Sequence, residues 1–106
     1  MATEAEEAII DPRNEVWVSA VSIWEAEIKV ASGKLKLGED LIVAAAHGGF
    51  DELEITHQHA SVAGRLPMHH KDPFDRMLIA QALVEELHVV TRDPRFEAYG
   101  VPVLAA

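Results

Sequence analysis

HHKDPFDRMLIAQALVEELHVVTRD, residues 69–93, holds a helix, a strand and the acids that stand at their ends. Asp72 before Pro73 predicts a helix start, because a short acid caps an orphan amide and proline at the first helical position has φ already set. Asp75 then falls in the first turn. Leu78, Ile79 and Ala82 follow it at helical spacing, so Asp75 shares the side of the stripe that should face a sheet. A carboxylate on that side carries a desolvation cost unless something compensates it. LHVVT, residues 87–91, is short, β-branched and uncharged, which predicts a parallel strand buried on both faces, with Asp93 just beyond its end. Ligands of open α/β sheets collect outside those carboxyl ends.

A second unit of the same kind comes earlier. VWVSAVSIWEAEIKVASGKL, residues 16–35, reads as a strand from about Glu15 to Ala20 and a helix opening near Ser22, with Glu25 in its first turn and a stop around Gly33. Ser22 and Glu25 also match a capping box, and Glu25 stands one turn from Lys29. Asp93 before Pro94 is equally a cap of a short helix. Capping and metal binding are compatible. Glu25, Asp75 and Asp93 at equivalent positions along one sheet edge would suit a hard cation such as Mg²⁺, which takes oxygen ligands and keeps several waters.

The remaining chain predicts a helix at 3–10, a turn at 11–14, a short alanine-rich helix at about 40–47 and a brief strand near Leu53 to Ile55. A short helix follows with Thr56 as cap, then the loop LPMHHKD, the helix at 73–86, the strand at 88–91, a helical turn at 94–98 and a last strand at 101–104. Alternating strands and helices imply a parallel sheet with helices on its faces.

Composition sets bounds. The 106 residues suffice for one domain with a modest core, and 49% apolar content supports a folded protein. No apolar run approaches a membrane span. The absence of cysteine excludes a disulfide framework or thiolate metal site and fits a cytoplasmic location. A net charge of −9 argues against binding nucleic acid through a general basic surface. It leaves room for local phosphate contacts by Lys29, Lys34, Lys36, Lys71, Arg76 and Arg92.

VSAVSIWEAEIKVASGKL (18–35), LPMHHKDPFDRMLIAQA (66–82), VVTRD (89–93) and FEAYGVPVL (96–104) together resemble the PIN-domain ribonucleases, specifically the VapC-type toxins of bacterial toxin–antitoxin pairs. The resemblance implies a three-layer α/β/α sandwich with a parallel sheet. It also implies a Mg²⁺- or Mn²⁺-dependent endoribonuclease, a homodimer, with an antitoxin covering the acidic site. The family's acidic positions carry over onto Glu25, Asp75 and Asp93 as metal ligands, with Thr91 as the hydroxyl neighbour in the TxD motif. The chain departs from the family at its start. MATEAEEAIIDPRNE has no strand ending in aspartate, and Glu4, Glu6, Glu7 and Asp11 fall in a helix or turn. The expectation is therefore a domain lacking the family's first strand and impaired in activity.

Other readings compete. His57, His59, His69 and His70 could form an imidazole-rich zinc site, although neither pair has the four-residue spacing of helical zinc ligands. Asp93 after its strand could be the phosphoacceptor of a receiver-like domain. The fold could also serve as a noncatalytic module that binds an antitoxin or a sister subunit. Trp17 and Trp24 read as core or interface residues rather than a base-stacking platform, and Phe96 and Tyr99 as packing.

Overall fold

The computed structural model describes residues 4–33 and 50–105. It is an α/β protein with parallel strand pairs, and its chain divides into two compact units, residues 15–55 and residues 1–14 with 56–106. The expected alanine-rich helix at 40–47 lies outside the described residues, as do Lys34 and Lys36. Among the described residues no helix is long and apolar enough to cross a membrane.

In the unit of residues 15–55, strand β1 (Trp17–Ser19) runs directly into a helix, Ala20–Ala31, and pairs in parallel with β2 (Asp51–Leu53). Trp17 stands opposite Asp51 and Ser19 opposite Leu53. The helix starts earlier than its sequence suggests. Ser19, not Ser22, is the N-cap, with extended backbone and an Oγ that accepts the Val21 amide at 3.1 Å. A serine at the strand's last position caps at once, so no turn is needed between the elements. The Ser22–Glu25 capping box is therefore not formed, and Glu25 sits beyond the first turn. The helix buries Val21 and Ala26 while Trp24 and Ile28 remain exposed, so neither Trp24 nor the 41%-exposed Trp17 is a core residue.

The other unit opens with α1 (Glu4–Ile10), so that the helix Ala20–Ala31 is α2 in chain order. α1 lies against the final strand and buries Ala5. Helices α3 (His57–Arg65) and α4 (Pro73–Glu85) pack on each other, followed by β3 (Val89–Thr91), a 3-10 helix (Pro94–Tyr99) and β4 (Val103–Ala105). β3 and β4 are parallel, Val89 opposite Val103 and Thr91 opposite Ala105, with the 3-10 segment as the crossover. Ile79, Ala82, Phe96 and Val101 form the core, and Leu78, Leu87, Val89 and Val103 close around it. β3 is not buried on both faces. Val89 packs on that core, whereas Val90, on the opposite side of the pleat, is 44% exposed.

Three caps shape this unit. Thr56 accepts the His59 amide at 3.2 Å while His59 Nδ1 accepts the Thr56 amide at 3.1 Å, a capping box in which histidine replaces the usual glutamate. That role fixes the tautomer, so Nε2 carries the proton and donates to Glu85 at 3.1 Å. Asp72 caps α4 as expected, accepting the amides of Phe74 at 2.8 Å and Asp75 at 3.2 Å. α4 ends on Glu86 in the left-handed region, φ 57°.

Candidate metal centre

Asp75 and Asp93 come together through a residue that the sequence reading had not placed with them. His70 is buried, and its Nε2 lies 2.7 Å from Asp75 Oδ2 and 3.5 Å from Asp93 Oδ2. Each donor comes from a different element: the loop before α4, the first turn of α4 and the carboxyl end of β3. One ligand atom from each of the three lies within 4.8 Å of the other two, a grouping compact enough for a metal ion.

Backbone contacts hold His70 in place. Its amide donates to the Tyr99 hydroxyl at 2.8 Å, and that hydroxyl donates in turn to the Pro67 carbonyl at 2.7 Å. The His70 carbonyl accepts from Arg76 Nη1 at 3.2 Å. Arg76 is itself buried and donates also to the carbonyls of Pro67, Ala63 and Leu66, at 3.1, 3.0 and 2.9 Å. Four carbonyls take up its guanidinium, so Arg76 is a structural clamp and not the phosphate contact that its charge suggested. The 3-10 helix adds Phe96, whose ring meets the His70 ring at 68° with centroids 6.3 Å apart.

The two carboxyls differ electrostatically. Burial pushes Asp75 above the usual carboxylate range, opposed by the His70 hydrogen bond and reinforced by the negative Asp72 and Asp93. Asp93 is lowered to about 2, chiefly by the Arg95 side chain and then by the Arg95 amide. Arg95 Nη2 reaches Asp93 Oδ2 at 2.7 Å and Nε reaches Oδ1 at 3.0 Å, while the Arg95 amide caps onto Oδ1 at 2.9 Å. Asp11-Pro12-Arg13 makes the same contacts, amide to Oδ1 at 2.9 Å and Nη2 to Oδ2 at 2.8 Å. The Asp-Pro-Arg fork is thus a local property of the tripeptide. What distinguishes Asp93 is His70.

Thr91 sits at the end of β3, where its Oγ1 accepts the Asp93 amide at 3.1 Å and orients the aspartate two residues on. Glu25 belongs to the other unit, where its Oε2 pairs with Lys29 Nζ at 3.6 Å. The four histidines do not gather as an imidazole site: His57 is exposed at the start of α3, His59 serves α3 and Glu85, His69 lies edge-on to Tyr99 at 5.2 Å, and His70 serves the aspartates. Sequence reasoning missed His70 as a partner of the acids. The available signal was its place next to the cap of α4, where a loop residue can fold back over the first turn.

The donor set fits a divalent ion. Two carboxylates from separate elements supply hard oxygens, and burial works against the charge of one of them, a state that a bound cation would relieve. No curated protein matches the chain. The model of the PIN domain matches residues 2–102, and it therefore spans both units. PIN domains are in general metal-dependent nucleases, and this chain belongs to the PIN domain family.

Proposed function

We propose that the chain is a Mg²⁺- or Mn²⁺-dependent endoribonuclease of the VapC type, the toxin of a toxin–antitoxin pair. The observation that carries the reading is the pairing of Asp75 and Asp93 across His70 at the carboxyl end of β3, in a chain of PIN family membership. The motif resemblance, rather than any distance, supports the toxin class, the RNA substrate, an antitoxin partner, a homodimer and Glu25 as a further carboxylate.

Asp75 and Asp93 would hold the ion. When bound, a divalent cation supplies a nucleophilic water near neutral pH and offsets charge building on the phosphate. The chain's own groups supply the setting. Asp72 keeps the first turn of α4 in place by capping the Asp75 amide, and Thr91 sets the Asp93 backbone. Arg95, 60% exposed at its side chain, stands at the same edge, where it would be the cation for a nonbridging phosphate oxygen. With its carboxyl ionised at neutral pH, Asp93 needs no proton loss to accept a cation.

The test is cleavage of a single-stranded RNA by the purified chain with Mg²⁺ or Mn²⁺, beside the Asp75→Asn variant. Cleavage that needs the ion and disappears in the variant is the expected result. Failure of both ions to support cleavage, or equal cleavage by the variant, would overturn the assignment.

A further inference from the structure

We propose that His70 is itself a ligand of the ion, through Nε2, and that this nitrogen makes the site prefer Mn²⁺ to Mg²⁺. The inference rests on the metal-dependent reading above and selects between its two ions.

Three observations converge. The first is immobility: the His70 side chain is 4% exposed, with its amide on Tyr99 and its carbonyl on Arg76, so the ring keeps its place when the carboxylates rearrange around a cation. The second is size. Around an octahedral ion with bonds of about 2.1 Å, neighbouring ligand atoms stand about 3 Å apart and opposite ones about 4.2 Å. Nε2 lies 2.7 and 3.5 Å from the two carboxylate oxygens, and no pair in the triangle exceeds 4.8 Å. One ion can therefore join all three with shifts of less than an ångström. The third is charge, since two carboxylates and a neutral imidazole balance a divalent cation.

The preference follows from the donor types. Mg²⁺ takes oxygen ligands and holds its water tightly, whereas a first-row transition ion accepts imidazole nitrogen beside carboxylate. On binding, the Nε2 proton of His70 leaves to water while Nδ1 takes one up from water, so the ring stays neutral and offers the Nε2 lone pair. The metal bond then replaces the hydrogen bond from Nε2 to Asp75. If His70 instead kept that hydrogen bond, the ion would rest on oxygens alone and no preference would arise from the ring.

The experiment uses the full chain without RNA. Mn²⁺ is titrated in and followed by electron paramagnetic resonance, and the bound ion is examined by electron spin echo for coupling to nitrogen, in unlabelled and ¹⁵N-histidine protein. Expected are a histidine nitrogen on the bound ion, a Mn²⁺ preference over Mg²⁺ of about tenfold or more, and loss of both in His70→Gln. Because that variant can disturb the loop, the wild-type spectrum decides first. Bound Mn²⁺ with no nitrogen coupling overturns the assignment of His70 and leaves the two-carboxylate site standing. Nitrogen coupling that persists in a folded His70→Gln protein also overturns it. Mg²⁺ binding without Mn²⁺ binding overturns the Mn²⁺ preference, and binding of neither ion overturns the metal-dependent reading itself.

Discussion

Replacing Arg76 by methionine keeps a long stem of similar volume and removes every donor from the loop that carries His70. Four carbonyls lose an Arg76 contact: Ala63 and Leu66 at the end of α3, then His70 and Pro67 in the loop, of which Pro67 keeps the Tyr99 hydroxyl. A hydrogen bond from a charged donor contributes about 1.5–3 kcal/mol, so simple addition would give roughly 6–12 kcal/mol. That is an overestimate, because water can reach the carbonyl of exposed Pro67 and because the cost of burying the guanidinium disappears with it. Breaking a buried charged network costs about 3–5 kcal/mol, and the expected loss is about 3 kcal/mol, a large part of the roughly 5–15 kcal/mol that holds a small domain together. Arg76→Lys keeps the charge but has one nitrogen in place of a fork that spans four oxygens, and should lose about half as much. Urea denaturation measures both, with the midpoint shifting at constant slope. Hydrogen exchange at the His70 amide should quicken in Arg76→Met before the core of α4 opens, because the loop loses its clamp first. An Arg76→Met protein within about 1 kcal/mol of the wild type, with His70 still protected, would refute the clamp.

Asp75→Asn should stabilise the metal-free protein at neutral pH while abolishing its response to Mn²⁺ in thermal unfolding. The sign follows from burial: the folded carboxyl titrates above its unfolded value, so ionisation opposes folding at pH 7, and the wild type regains that stability as pH falls through the raised value. The variant's advantage should therefore shrink on acidification towards pH ~4, and an advantage independent of pH would contradict the assignment. Asp93 has the opposite sign, its Arg95 contact contributing above the unfolded carboxylate range and fading as pH falls towards about 2. Glu86→Gly should raise stability by up to about 1 kcal/mol, because a non-glycine residue in the left-handed cap of α4 pays a steric cost that glycine avoids. A fall in the urea midpoint would show that the Glu86 side chain makes a contact worth more than that strain.

The sequence alone determined what depends on neighbours in the chain. Asp72-Pro73 and Asp93-Pro94 announced the starts of α4 and the 3-10 helix, Thr56 the start of α3, and the run at Val89 a parallel strand, since capping, proline geometry and β-branching act within a few residues. The same local logic put Asp75 on the core side of α4, and the motif resemblance pointed to the PIN family. Ser22 was misread as a cap because Ser19 fits equally well, and only the end of the pairing between β1 and β2 selects between them. Whether an arginine faces solvent or carbonyls, and whether a histidine serves a helix cap or two carboxylates, depends on which segments tertiary packing brings within hydrogen-bond distance. Arg76 lies 13 residues from Ala63, and His70 lies 29 from the Tyr99 hydroxyl that holds it. Such contacts leave no periodic trace in the chain, because one partner's spacing does not constrain the other's. The acids of the candidate centre were thus legible one by one, and the imidazole that joins two of them was a product of the fold.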